Sequence, residues 1–413
     1  RPDIDYIFQS SYQLFNQSGG GWPLTIFLDE NAIPFMAGTY FPKINSHGIP
    51  SFKKVLVKIG EIYKQERLEI IKQSHIISKS LELKKSLVLN QDLEPLLQNI
   101  ILNLDKEKGG YKGHPKFPIF NIYDVLLYFF EKTKNSKYLI PVELILKQLC
   151  SQGIYDHVEG GISRYTVDEN WLIPHFEKML YDNAQFVLLL SKYLKTEKNQ
   201  YFEKKVFQTI EFINKNFYNI EKNLLGSAYD ADSDGEEGKY YVYNYEELKK
   251  IKDIDQYFNV KPEGNWEKKI ILTEIQAPPE TIILELKKIR EKKIKPFFDE
   301  KVQLDLNCLW VSALVHAEQV LPNNNFLKNA ESFYDNLKKL FFNKEKLQHT
   351  LFKSEVFLED YAYSISMLLD LYDHTLKPNY LLKAKELCKQ AIDFFYVKEK
   401  SIFQKNIITT NNL

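Results

Sequence analysis

From Leu93 onward, apolar residues recur at three- and four-residue spacing almost without a break. A pattern of that period buries its apolar face only as packed helices. The spacing predicts helices over 94–104, 123–132, 142–151, 176–194, 200–217, 304–320, 326–342, 355–374 and 380–395. Short polar links such as "NSKY", "TEKN" and "LPNNN" fold neighbours back as helical hairpins. Other links, over 106–120, 153–175 and 224–243, are long and dense in glycine, aspartate, aromatics and histidine. Links of that length are either functional or disordered, and these are too aromatic to be disordered. In an up-and-down array they gather at one rim, where a ligand is expected.

The first fifty residues read differently. A helical segment over 4–15 and a glycine run lead to "LTIFL" and "PFMAGTYF", two β-rich runs parted by Asp29, Glu30 and Asn31, and then to a charged helix over 52–73. Helix, X-Pro, hairpin, helix is the order of the second half of a thioredoxin-like domain, and Pro23 stands where that fold carries a cis proline. The expected fold is mainly α: a partial α/β thioredoxin-like domain over 1–80, then over 91–413 about nine helices paired as hairpins, which for lack of a fixed repeat are expected to close into a ring and not a solenoid.

Charge and cysteine usage narrow the functional classes. Lys plus Arg and Asp plus Glu both number 55, so the basic excess of a nucleic-acid partner is missing. No apolar run reaches the roughly 18 residues of a membrane span, and the first residues do not read as a signal peptide, although a start at Arg1 leaves a preceding leader open. Cys150, Cys308 and Cys388 lie far apart and form no Cys-x-x-Cys, which fits a reducing compartment, and a cytoplasmic location is expected. Phosphate-loop, dinucleotide and zinc-protease fingerprints are missing, so no cofactor or metal is expected.

Chemistry-bearing residues concentrate in "PHFEKMLYDNA" (174–184). On a helical wheel His175, Lys178, Asp182 and Gln185 make one polar stripe, while Asn183 falls among Phe176, Met179, Leu180 and Val187 and must find hydrogen-bond partners. Glu177 and Asp182 are the candidate acid–base groups, with His175 assisting. A solvated Lys178–Asp182 pair is the alternative. The preceding loop holds Asp156, His157, Glu159, Arg164, Tyr165, Asp168, Glu169 and Trp171. Rings beside charged groups suit a sugar or polyol, though the loop's own ion pairs could equally order it. Asp230, Asp232, Asp234 and Gly235 open like a calcium loop, but its twelfth position is Tyr241, so a ligand-facing turn including Glu236 is the better reading. Glu359 and Asp360 begin a helix at a rim position, and His114 and Lys116 in "GGYKGHPKFP" are weaker candidates.

"RPDID", "GGWPLTIFLDENAIPFMAGTYFP", "GGISRYTVDENWLIPHFEKMLYDNAQ", "SAYDADSDGEEGKYYVY" and "FLEDYA" together resemble the spermatogenesis-associated protein 20 family. The resemblance implies a thioredoxin-like domain of unknown function 255 and an (α/α)6 barrel similar to N-acylglucosamine 2-epimerases and six-hairpin glycosidases. Family members usually carry a Cys-x-x-Cys segment before the "RPDID" motif, and with about nine helices of the twelve that such an (α/α) barrel implies over 91–413, this chain is expected to be a fragment at both ends. Leu306-Asn307-Cys308 stands where Trp-Asn-Gly is usual, a change expected at the barrel floor. The expected function is binding, with epimerisation or hydrolysis, of a small carbohydrate-like ligand, without nucleic acid or membrane. The rival is a thiol–disulfide or protein-folding module with the barrel as scaffold.

Overall fold

The computed structural model describes residues 2–46, 48–81, 93–343, 346–352, 355–399 and 401–407. The chain forms two compact units, Arg1–Gln91 and Asp92–Leu413. The junction expected between 80 and 91 falls largely outside the described residues.

The first unit contains α1 (Pro2–Asn16), the antiparallel strands β1 (Thr25–Leu28) and β2 (Pro34–Gly38), α2 (Phe52–Gln65) and α3 (Arg67–Leu81). Asp29 builds the hairpin turn, its Oδ1 accepting the N–H groups of Asn31 and Ile33 at 2.9 Å each. The Trp22–Pro23 bond is cis. The helix expected over 52–73 breaks at Glu66, and both Tyr63 before the break and Arg67 after it bond Glu30.

The second unit is helical hairpins. α4 (Glu94–Asn103) precedes α5 (Phe120–Thr133) with α6 (Ser136–Ser151), α7 (Leu180–Thr196) with α8 (Gln200–Asn216), and later α12 (Leu304–Val320) with α13 (Phe326–Phe341) and α14 (Leu358–Thr375) with α15 (Pro378–Phe395). α5, α7, α12 and α14 pack in succession as an inner row, and each is backed by its hairpin partner. α7 and α12 are buried on nearly every side because Ala, Leu, Val and Phe leave almost no polar face. This is a mainly helical barrel architecture.

Extended pieces connect the helices: β3 (Tyr165–Thr166), β4 (Pro174–His175) and β5 (Lys178–Met179) before α7, and β6 (Tyr218–Asn219), β7 (Leu224–Leu225), β8 (Ala228–Tyr229), β9 (Asp232–Ser233) and β10 (Glu236–Glu237) after α8. The short helices α9 (Tyr245–Leu248) and α10 (Ile254–Tyr257), then α11 (Glu280–Arg290), form a small separate core with Val158, Tyr243 and Phe258, and β11 (Phe298–Asp299) returns the chain to α12. β12 (Tyr396–Val397) and β13 (Ile402–Phe403) pair after α15.

The helix expected over 176–194 starts only at Leu180, which corrects the polar stripe. Residues 174–179 are extended, with His175 paired to Tyr165 and Lys178 to Tyr229. The cause is an ion cluster. Lys178 is fully buried and donates to Asp156 Oδ2 at 2.7 Å and to the Gly160 carbonyl at 3.0 Å. Arg290 Nη1 reaches both Asp156 oxygens at 2.7 Å. A helix through 178 would pull the ammonium off its counter-charge. Burial alone would raise the Asp156 carboxyl, but Arg290 and Lys178 outweigh it and hold it below the ordinary carboxylate range. The Gly160 position requires glycine: φ is +96°, and a Cβ would stand 2.6 Å from the Gln208 carbonyl oxygen.

Asp156→Ala therefore strands buried Lys178, leaves Arg290 only Glu159 at 3.5 Å, and is expected to cost about 3–5 kcal/mol, read as a lowered urea midpoint. A loss below about 1 kcal/mol would contradict this account of the cluster.

Candidate functional site

The inner helices begin side by side at one end. Ser227 joins the first two starts: its carbonyl accepts the Leu180 N–H at 2.9 Å, and its Oγ donates to Gln303 Oε1, next to the first residue of α12, at 2.9 Å. Gln303 Nε2 lies 3.0 Å from His349 Nε2, and His349 Nδ1 lies 2.9 Å from Asp360 Oδ1 in the first turn of α14. The starts of α7, α12 and α14 thus share one rim, where the N-terminal ends of helix dipoles favour carboxylates.

At the start of α7, Arg164 Nη1 donates to Glu177 Oε2 at 2.9 Å, with both side chains partly exposed. Asp182 lies beneath, 6% exposed, and its Oδ2 has no hydrogen-bond partner among the described residues. Burial pushes the Asp182 carboxyl well above the ordinary range; Arg164 opposes this and Glu177 adds to it. Tyr181 is pushed up to about 12, chiefly by burial and then by Asp182.

Beside this group runs an aromatic ladder. Phe117 stacks on Tyr165 at 4.6 Å, and Tyr165 stacks on His175 at 4.9 Å. Glu237 on β10 accepts from His175 Nδ1 at 2.8 Å. Half-exposed Phe117 leaves the ladder an open apolar face next to a charged pair, an arrangement able to stack and hydrogen-bond a polyol.

At the starts of α12 and α14, Asp305 and Asp360 flank His349; Asp305 Oδ1 lies 3.9 Å and Asp360 Oδ1 2.9 Å from its Nδ1. Burial, then the Asp360 charge, pushes Asp305 up to about 6, while His349 opposes. Burial pulls His349 down, but its bond to Asp360 and the surrounding carboxylates outweigh that and leave it raised. Among the described residues, Asp305, His349 and Asp360 offer ligand atoms within 4.8 Å of one another and are the set able to hold a metal ion.

The expected site residues therefore separate. Arg164, Tyr165, His175, Glu177 and Asp182 come together as one rim patch. Asp156 and Lys178 belong to the buried ion cluster. Asn183 is fully buried, accepting the Ile162 N–H at 2.8 Å and donating to the Ile162 and Met179 carbonyls, so the demand for partners read from its apolar surroundings is met. Trp171 is fully buried, its Nε1 donating to the Lys108 carbonyl at 2.8 Å. Asp168 accepts the N–H groups of Asn170, Leu172 and Ile173 and holds its own loop. Asp230 and Asp232 are exposed, and Glu236 pairs with Lys239 at 2.9 Å. Glu359 pairs with Lys405 at 2.9 Å beside the His349 group, to which Asp360 belongs. Lys116 is buried against Asp105 at 3.1 Å, and His114 is exposed. Asn307 binds Leu225 through its N–H and carbonyl near the start of α12, so the Leu306-Asn307-Cys308 change sits toward the rim and not at the floor. Asp305 was readable as an acidic residue in a first helical turn; His349 carried no such signal.

Comparison with known proteins matches this architecture. Residues 1–82 fit the thioredoxin-type family described as a protein of unknown function, DUF255. Over most of its length the chain is similar to spermatogenesis-associated protein 20 sequences. It is 26% identical to human spermatogenesis-associated protein 20 over 90% of this chain and 57% of the human one. An uncharacterised protein of Caenorhabditis elegans is 28% identical over 94% of this chain and 62% of its own. The chain thus spans about six-tenths of the length of these relatives. Among solved structures, a GH76 α-mannanase from Bacteroides thetaiotaomicron aligns with a TM-score of 0.50 at 13% identity, over 78% of this chain and 74% of that one. That likeness concerns the fold alone. No helix among the described residues is long and apolar enough to cross a membrane.

The buried Asp182 carboxyl makes a signed prediction. Its folded pKa lies above its unfolded value, so from about pH 4 upward the folded state binds the extra proton and stability falls as pH rises. Asp182→Asn should raise the thermal midpoint at pH 8 by a few degrees and leave it unchanged near pH 3. A variant less stable than the parent at pH 8 would contradict the placement.

Proposed function

We propose that the barrel rim binds a carbohydrate-like ligand and carries out acid–base chemistry on it, with Asp182 as the proton-exchanging group. The observation that carries this reading is the Asp182 carboxyl: buried, without a partner on Oδ2 among the described residues, and set beside the Arg164–Glu177 pair at an inner-helix start. A buried carboxyl held well above the ordinary aspartate range keeps its proton more firmly than its neighbours do, as a proton donor must.

Arg164 orients Glu177 by donating to its Oε2, and the pair hydrogen-bonds ligand hydroxyls. The Phe117–Tyr165–His175 ladder supplies the stacking face, with His175 fixed by Glu237. Asp305 and His349, joined to the α7 start through Ser227 and Gln303, are the second proton-exchanging pair. Epimerisation and hydrolysis are the two reactions that such paired carboxyl groups serve.

A thiol–disulfide role for the longer protein is the second reading, favoured by the thioredoxin-type match over residues 1–82. Of this chain's cysteines, Cys150 and Cys308 are buried, and burial pushes both thiols up, which makes them poor nucleophiles.

The test is a panel of reducing sugars and glycosides incubated with the protein in D2O. Epimerisation places deuterium on carbon in the product, whereas hydrolysis releases a new reducing end without it. Asp182→Asn should lower turnover of the responding sugar by at least about 100-fold while binding persists. Unchanged turnover in that variant removes Asp182 from the chemistry.

A further inference from the structure

A cavity of about 350 Å3, whose lining includes none of the Asp182 patch residues, is lined by Lys239, Lys269, Lys292 and Lys293 together with Asp234 and Asn244. The amines come from three separated stretches: the turn after β10, the segment before the α11 region, and the chain just beyond α11. Basic residues at one helix end complement its dipole, but that explains only Lys292 and Lys293. Lys239 and Lys269 are brought to the same cavity independently.

The charges do not cancel. Lys239 pairs with Asp234 and Glu236 at 2.9 Å, and Lys269 reaches the same Glu236 at 3.4 Å. Lys293 and Lys292 have no carboxylate within ion-pair distance among the described residues. Lys293 Nζ donates to the Val242 carbonyl and sits 4.6 Å over the Tyr243 ring, which fixes the amine at the wall. The nearby Glu247 already accepts the Asn244 N–H at 2.9 Å. Burial, opposed by Glu247 and aided by Arg290 and Lys269, brings the Lys293 amine down to about 8. A half-buried ammonium of this kind gains most from an anion, because a bound negative charge offsets its desolvation.

We propose that this cavity binds a small anion carrying a phosphate group, as a phosphate monoester or as free phosphate. Lysine is a common point-charge ligand of phosphate, and the volume exceeds what a bare phosphate fills, which favours a phosphorylated small molecule. The proposal does not rest on the rim reading, and its test uses no rim residue.

Isothermal titration of the full chain at about 0.15 M salt compares glucose 6-phosphate, inorganic phosphate and glucose. The ester should bind saturably, free phosphate more weakly, and glucose not at all. Free phosphate binding as tightly as the ester keeps the site and assigns it to phosphate itself. Lys293→Met, which keeps the apolar stem, should weaken binding at least about tenfold, whereas Lys385→Met on the exposed face of α15 should leave it unchanged. Lys269→Met replaces the first variant if that one melts early. Non-saturating heats, or equal weakening by the Lys293 and Lys385 variants, would overturn the proposal.

Discussion

The ion cluster of Asp156 with Lys178 and Arg290 governs the rest of the barrel unit. Asp156, the two cations and the Gly160 carbonyl meet in a buried site, with Glu159 on the outer side of Arg290 at 3.5 Å, and removing Asp156 takes away the carboxylate that both cations share. The cluster joins the start of the loop before α7, the last extended residues of that connection and the end of α11. A second buried set repeats the device: Glu274 accepts from Lys205 at 2.8 Å and contacts His157 at 3.1 Å. Together they fasten the long insertion between α8 and α12 to the helical core.

The functional geometry follows from that fastening. Because Lys178 faces inward, residues 174–179 are extended, and in an extended run neighbouring side chains point to opposite sides. Glu177 therefore turns toward Arg164 while Lys178 goes into the core, and Asp182 enters the first turn of α7 below the pair. The same constraint pairs His175 with Tyr165 and builds the ladder beside the carboxyl. A buried carboxyl oxygen without a hydrogen bond lowers stability, and among the described residues Asp182 Oδ2 carries that cost at an inner-helix start beside open, charged groups.

Helix period alone made the hairpin array legible, and link length marked the loops that carry the rim. Asn183 was legible in physical terms, since an amide on an apolar arc must be bonded. Lys178 was not: its counter-ions are Asp156 and Arg290, the latter beyond a long insertion, and helical periodicity continues straight through position 178 into "FVLLLSKYL". Local pattern favoured a helix, and a long-range charge contact decided otherwise. Trp171 and Asp168 looked like ligand groups because loop composition does not say which way a side chain points. Asp305 and His349 went unread because neither lies in a conspicuous motif, and only the parallel helix starts bring them together.

The central claim is that the rim holds a carboxylic acid that keeps its proton where others have lost theirs. Carbon-13 NMR of protein labelled at aspartate carboxyl carbons, with the Asp182 resonance identified by its loss in Asp182→Asn, measures this directly. The account predicts that this resonance titrates well above the ordinary aspartate midpoint of about 4. A midpoint at or below that value would contradict the account.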